Sequence, residues 1–261
     1  DDVRTAFDGM RLNDGALALY QFLWREYCDW YVEICKQPLY GEDAAAKHAS
    51  RVVLLHTLEQ ALRLLHPIMP FVTEEIWQAL PLTKPAASIM VSPYPWADDR
   101  HRDPAAESLL EQTMGAIRAV RNIRAELGLA PTTPLTIRIP KEAAARLAPM
   151  QATIASLGRI EAIESVDANE RPAGEPSAAV DGIGELFVPL RGAVDAADVR
   201  SRLQRDLDKV DKELEGVTAK LQKPTFVERA PADIVAKERD KAARLDERRT
   251  TLRKHIEALS S

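Results

Sequence analysis

The sequence predicts a mainly α protein in three parts: a helical bundle, a small α+β connecting subdomain, and a C-terminal antiparallel coiled-coil hairpin. Three observations carry this. Ala, Leu, Glu, Arg and Lys are abundant, and all favour helix. Apolar residues recur at three- and four-residue spacings through the N-terminal part. Near the C-terminus Val199, Leu203, Leu207, Val210, Leu214, Val217 and Leu221 step with a mean close to the coiled-coil period of about 3.5 residues.

The first part, residues 1–96, opens with a wide apolar stripe on one long helix: Leu17, Tyr20, Leu23, Trp24, Tyr27, Cys28, Tyr31 and Ile34. Gln37, Pro38 and Gly41 end or interrupt it. A second helix buries Val52, Leu55, Leu58, Leu62 and Leu65, and stops at His66-Pro67, because a residue preceding proline is pushed out of the helical region. Pro70 stands near the start of a third helix from Val72 to Leu80, where its missing N–H costs little. Short connections between successive helices imply a bundle.

The second part, residues 97–194, is mixed. A helix from Glu107 to Leu127 ends at the C-cap Gly128. Leu135 to Ile139 alternates apolar and polar and reads as a strand. Ala143 to Leu157 reads as one helix capped by Gly158, with strands at Ile160 to Val166 and Glu185 to Val188. Asn169 to Ser177 reads as a loop and Asp181 to Gly184 as a turn. Gly182-x-Gly184 neither opens a helix nor continues to a third glycine, so it is no dinucleotide fingerprint.

The third part, residues 195–261, carries the Val199–Leu221 seam, a break at Pro224, and a second helix from about Pro231 with Ile234, Leu245, Leu252, Ile256 and Leu259 as its stripe. Two such helices fold back on each other into an arm. Each extends roughly 40 Å at about 1.5 Å per residue.

The 261 residues leave room for about two domains of typical size, and 46% hydrophobic with 29% charged residues is ordinary for a globular protein. No apolar run is long enough to cross a membrane, and no signal peptide is visible. The chain begins at Asp1 without Met, so a targeting segment upstream stays open. Cys28 and Cys35 read as structural thiols of a reducing cytosol, with no metal set beside them. The net charge of −5 argues weakly against nucleic acid. It is unevenly spread: from Asp195 onward there are 16 Lys+Arg and 14 Asp+Glu, a net of +2 against −7 for the remainder. Local basic faces still attract phosphate, since screening acts over about 8–10 Å.

Two runs, Phe22-Leu-Trp-Arg-Glu-Tyr-Cys28-Asp29-Trp30-Tyr31-x-Glu33 and Leu65-His66-Pro67-Ile68-Met69-Pro70-Phe71-Val72-Thr73-Glu74-Glu75-Ile76-Trp77, resemble the anticodon-binding domain of class I synthetases for branched aliphatic amino acids. Ile117-Arg118-Ala-Val-Arg121-Asn122-Ile123-Arg124-Ala125-Glu126 followed by Pro131, and the hairpin tip from Pro224 through Arg229 to Arg239, resemble the valine–tRNA ligase family. The resemblance covers essentially the whole chain. It implies a C-terminal, tRNA-holding part of an ATP-dependent cytoplasmic enzyme, a monomer whose partner is tRNA(Val), with no DNA and no membrane. The His-x-Gly-His motif and Lys-rich loop of that family are absent from these residues, so no catalytic, cofactor or metal residue is expected here. ATP with Mg would act in a separate catalytic domain.

The candidate tRNA-binding residues are Trp30, Arg118, Arg121, Arg124, Arg200, Arg202, Arg205, Lys209, Lys237, Arg239, Lys241, Arg244, Arg248 and Arg249. Each has a plainer alternative. Trp30 belongs to an aromatic cluster with Tyr20, Trp24, Tyr27 and Tyr31 that stacks bases or builds core. Arg118, Arg121 and Arg124 form a phosphate-tracking face or a solvated flank of Ile117, Val120, Ile123 and Leu127. The arm's cations meet the tRNA elbow, or alternate with acids as any solvated coiled coil does. His66 lacks a nucleophile or second titratable partner, so an architectural role outweighs general-base chemistry. The competing function is a non-catalytic RNA-binding or coiled-coil scaffold protein derived from a synthetase appendix.

Overall fold

A computed structural model of the chain describes all residues except 168–169, 173–174, 191–195, 224–225, 227–230 and 260–261. Two compact units divide it, Asp1–Pro104 and Ala105–Ser261.

The first unit holds α1 (Asp2–Asp8), α2 (Leu12–Gln21), a π-helical stretch (Phe22–Tyr31), α3 (Val32–Tyr40), α4 (Ala44–Leu65) and α5 (Pro70–Ala79). The single long helix expected from the apolar stripe is present, and it runs through Pro38 to end at Gly41. Its buried face differs from the expected one. Leu17, Tyr20 and Trp24 are 55–59% exposed, whereas Leu19, Tyr27, Trp30 and Cys35 are buried. The π stretch is the cause: i→i+5 bonding, as from the Val32 amide to the Tyr27 carbonyl, widens each turn. A period of 3.6 applied across ten such residues loses phase. Tyr27 ties the stretch to α4 by donating its hydroxyl hydrogen to the Leu54 carbonyl at 3.0 Å.

The Asp43 carboxylate caps α4, accepting from the Ala45 and Ala46 amides at 2.8 and 3.1 Å. Leu62, Trp77 and Ile89 form the core between α4 and α5, flanked by Leu58 and Leu80. Val52, expected in that core, is 49% exposed. Trp77 donates its indole N–H to Glu59 Oε1 at 2.9 Å, and Arg63 donates to Glu59 Oε2 at 2.9 Å. At the proline corner His66 Nδ1 lies 2.7 Å from Thr73 Oγ1, which fits the architectural reading of His66.

The second unit holds α6 (Pro104–Glu126), β1 (Leu135–Pro140), α7 (Lys141–Leu147), α8 (Gln151–Gly158), β2 (Ile160–Val166), β3 (Ser177–Val180) and β4 (Gly184–Phe187). It continues into the hairpin, α9 (Ala196–Leu221) and α10 (Ala232–Ala258). The sheet order is β2-β1-β4-β3, with β1 and β2 parallel across the α7–α8 crossover and the other pairs antiparallel. Leu135, Ile137 and Ile139 are buried in strict alternation, as a strand covered on one face requires. The helix expected from Ala143 to Leu157 is two, because Pro149 interrupts it with a short 3₁₀ turn. Its cap is Arg159 at φ 53, not Gly158. β3 went unpredicted: its four residues include two alanines, which carry little strand signal.

α9 buries Val199, Leu203, Leu207, Val210 and Val217, the expected seam. α10 answers with Val235, Leu245, Leu252 and His255, while Ile234 is 38% exposed. Glu238, Ala242 and Arg249 occupy half-buried positions between them. The α10 stripe was therefore only partly visible as an apolar pattern. Of the tip motif from Pro224 to Arg239, residues 224–225 and 227–230 lie outside the described residues.

Candidate nucleic-acid interface

The arm has two unlike flanks. Lys237, Lys241, Arg244 and Arg248 stand at steps of four, three and four along α10, and with Glu238 and Leu245 they line one shallow groove. Such steps keep side chains on one side of a helix over about 16 Å. The acidic groups at this groove are matched by bases: Lys241 pairs with Glu213 at 2.7 Å, and Lys220 pairs with Glu238. The opposite flank is lined by Asp211, Glu215 and Asp246 with Arg249 and Arg253, beside Leu214, Ala219, Ala242 and Ala243. Arg249 there pairs with Asp246, and Arg253 lies 3.6 Å from Asp211. The cations of the sequence pattern are thus sorted by position. Four share a groove, whereas Arg249 sits among acids and Arg239 lines neither surface.

On α9 the candidates are engaged locally. Lys209 pairs with Asp206 at 3.0 Å, and Arg205 donates to the Ser201 carbonyl at 3.3 Å. Arg200 is exposed. Arg202 has a structural partner, donating to the Gly128 carbonyl at 3.0 Å. Gly128 adopts φ +54, a left-handed conformation that favours glycine, and a Cβ there would lie 2.6 Å from Arg202 Cζ, so that flexible side chain would have to shift.

That contact belongs to the docking of the arm's base on the α+β part. Lys254 pairs with Glu185 at 3.2 Å, and His255 is 1% exposed with Nδ1 3.4 Å from Glu126 Oε2, outside hydrogen-bonding geometry. Burial, then Lys254, push the His255 pKa down from 6.5, and a hydrogen bond with the Ser177 backbone opposes them. Burial pushes the Glu126 carboxyl up, with Arg248 opposing. A base whose folded pKa is depressed takes its proton more readily when unfolded. Stability should therefore fall as pH drops below about 6.5, by at most about 1.4 kcal/mol per pH unit. The raised Glu126 pKa acts oppositely, at pH values nearer the carboxylate range. Urea unfolding between pH 7.5 and 5.5, with His255→Gln beside the parent chain, isolates the His255 part: the variant should lose that slope, and parallel profiles would refute it. His255 was missed because the heptad reading sought only apolar residues. The signal available was a histidine beside Leu252 and Ile256 on the same stripe.

Two sequence candidates are corrected by burial. Trp30 is 6% exposed, because the π stretch turns it inward, so no ring face is left for a base. Arg124 is also 6% exposed. Its Nη2 donates to the carbonyls of Thr133, Gly158 and Arg159 at 3.1–3.2 Å. Steps of three rotate about 60° short of a full circle, so Arg118, Arg121 and Arg124 spiral around α6 rather than share a face. Arg118 is exposed, and Arg121 donates to the Leu157 carbonyl at 2.9 Å. Of the aromatic cluster, Tyr20 and Trp24 are the exposed members, stacked with centroids 6.3 Å apart.

Residues 195–260, which contain the grooved arm, match the family described as the valyl tRNA synthetase tRNA binding arm. Residues 1–139 match the anticodon-binding domain of tRNA ligase. Valine–tRNA ligases similar to the chain include those of Geobacter sulfurreducens, 42% identical over 97% of this chain, and Syntrophotalea carbinolica, 40% over 98%. The enzyme of Enterococcus faecalis is 37% identical over 99%. The chain spans about 29% of the length of each of these relatives. With more than half of its residues matched, the chain belongs to the tRNA ligase anticodon-binding family, in the form that carries a valyl-type tRNA binding arm.

Proposed function

We propose that this chain is the tRNA-holding part of a cytoplasmic, monomeric valine–tRNA ligase, and that its partner is tRNA(Val) rather than DNA. The helical unit grips the anticodon stem-loop, and the arm braces the elbow where the D and T loops pack. Valine and ATP, with Mg, react in a catalytic domain of the same enzyme to give valyl-adenylate, and the acyl group passes to the tRNA 3′ end. Two linked contacts, each weak alone, raise the effective concentration of the second. Holding both fixes the acceptor end, so that remote binding energy appears as rate.

The observation that carries this reading is the groove lined by Lys237, Lys241, Arg244 and Arg248 on the arm. Four cations within about 16 Å suit a run of backbone phosphates, and shape and phosphate are what A-form RNA offers. The test is binding of the chain to a valine tRNA transcript at one moderate salt concentration, beside the same transcript with its anticodon replaced. Binding to both, tighter by about 10-fold to the native anticodon, is expected if the loop is read by stacking and base-edge contacts. No binding to either would overturn the reading.

A further inference from the structure

The end of α8 gathers three arginines, two of which serve the helix itself. A helix leaves its last carbonyls without amide partners, and nearby cations often meet them. Here Arg121 donates to the Leu157 carbonyl at 2.9 Å, and Arg124 to the Gly158 and Arg159 carbonyls at 3.1 Å each. Both come from α6. The Arg159 amide meets the carbonyls of Ala155 and Ser156. The carbonyls that the Arg159 side chain would otherwise cap are therefore taken. Its guanidinium is exposed and has no hydrogen-bond or ion-pair partner among the described residues, Glu161 two positions on included.

The backbone at Arg159 is strained as well. Its φ of 53 and ψ of 50 lie in the left-handed region, which crowds the Cβ of an L-residue and which helices ordinarily fill with glycine at this position. Gly158 stands one residue too early to relieve it. Strain of this kind persists where the side chain is used. Arg121 is exposed at the same corner. Burial lowers the pKa of Arg124 most, then the charges of Arg121 and Arg159, and no carboxylate among the described residues offsets them. The corner is thus a local excess of positive charge in an acidic chain.

We propose that Arg159 holds a backbone phosphate of the bound tRNA, so that the α+β part makes a contact of its own beside those of the bundle and the arm. A guanidinium offers phosphate oxygens a planar fork of donors, and Arg121 adds to the local attraction. Arg124 remains the enclosed fastener of the carbonyls. Such a contact reads no sequence, because phosphate carries none. The proposal rests on the tRNA-binding reading and adds a site to it.

The experiment measures affinity of the 261-residue chain for a valine tRNA transcript across a salt series, with thermal melts beside it. Arg159→Gly, Arg159→Asn and Arg159→Lys are compared with the parent chain. Arg159→Gly removes strain and charge together. It should raise the melting temperature by about 2–4 °C. It should also weaken tRNA binding by about 3- to 10-fold and lower the slope of log K against log salt by about 0.9, one phosphate contact on a duplex stem. Arg159→Asn, which also tolerates the left-handed region, should show the same binding loss. Arg159→Lys should keep the slope and lose part of the affinity. The losses should be equal for a transcript with its anticodon replaced. If the parent chain binds tRNA and the glycine and asparagine variants match its affinity and slope, the corner is no RNA contact while the tRNA reading stands. A rise in the parent's melting temperature with inorganic phosphate, absent from Arg159→Gly, would then assign the corner to a free anion. Joint loss of stability and affinity with an unchanged slope would make Arg159 a structural residue and overturn the proposal. Failure of the parent chain to bind any RNA overturns the tRNA reading itself.

Discussion

Replacing Lys241 and Arg244 together by glutamate should weaken tRNA binding by about 10- to 100-fold at moderate salt and lower the slope of log K against log salt by about 2. Both residues line the basic groove of α10, two of the four cations there. Each phosphate contact releases about 0.9 counterion on duplex RNA or DNA, so two lost contacts set the slope change. Reversal adds repulsion, because residue 241 would then stand beside Glu213. The control carries the same change of net charge: Arg239→Glu with Arg253→Glu, of which Arg253 lines the opposite flank and Arg239 neither surface. It should cost less than about 3-fold, since long-range attraction is screened beyond about 8–10 Å. Equal losses from the two pairs would mean that the arm attracts RNA by net charge alone, and the one-sided interface would be wrong.

Arg124→Ala should destabilise the second unit by about 2–3 kcal/mol, because it leaves enclosed carbonyls without their charged donor. The guanidinium is 6% exposed and draws together the carbonyls of Thr133, Gly158 and Arg159. Those groups come from the turn before β1 and from the end of α8, so one side chain fastens two connections beside α6. Burial, with Arg121 and Arg159 nearby, pushes the guanidinium pKa down, but arginine stays charged at neutral pH. Truncation leaves three carbonyls to find other donors. Arg124→Lys should recover only part of the loss, because an ammonium on a flexible stem does not reproduce a planar fork. Urea unfolding measures both variants. A loss under about 1 kcal/mol for alanine would show that the carbonyls are readily satisfied without it. RNA affinity of the folded fraction should be unchanged, which separates this role from the phosphate contact that the Arg118–Arg121–Arg124 spacing suggested.

Where one residue type recurs on one regular period, the sequence was sufficient. The α9 seam, the alternation of β1 and the C-cap at Gly128 stand where local rules put them. α4 ends at Leu65 as expected, but His66 keeps a helical φ of −53 and ψ of −41 before Pro67, so the proline did not push it out of the helical region. Reading failed where the period itself changed or where a polar residue took an apolar position. The π stretch moved the buried face of the first long helix, exposing Trp24 and enclosing Trp30. Pro149 split one predicted helix into two. On α10, His255 and the half-buried Glu238 and Arg249 occupy the seam side beside its few apolar residues.

The candidate interface divides in the same way. Sequence alone determined that the C-terminal part is a two-helix arm rich in both signs of charge, because period and composition are local properties. It could not say which cations stand together, since Lys241 and Arg249 look alike in a list of residues. Only the tertiary structure placed Lys237, Lys241, Arg244 and Arg248 along one groove and Arg249 among acids on the other flank. It likewise turned Arg124 and Trp30 inward. The physical reason is that phosphate attraction is short-ranged and depends on where charges sit. That position is fixed by the partner helix and by burial, and neither is written at any single residue.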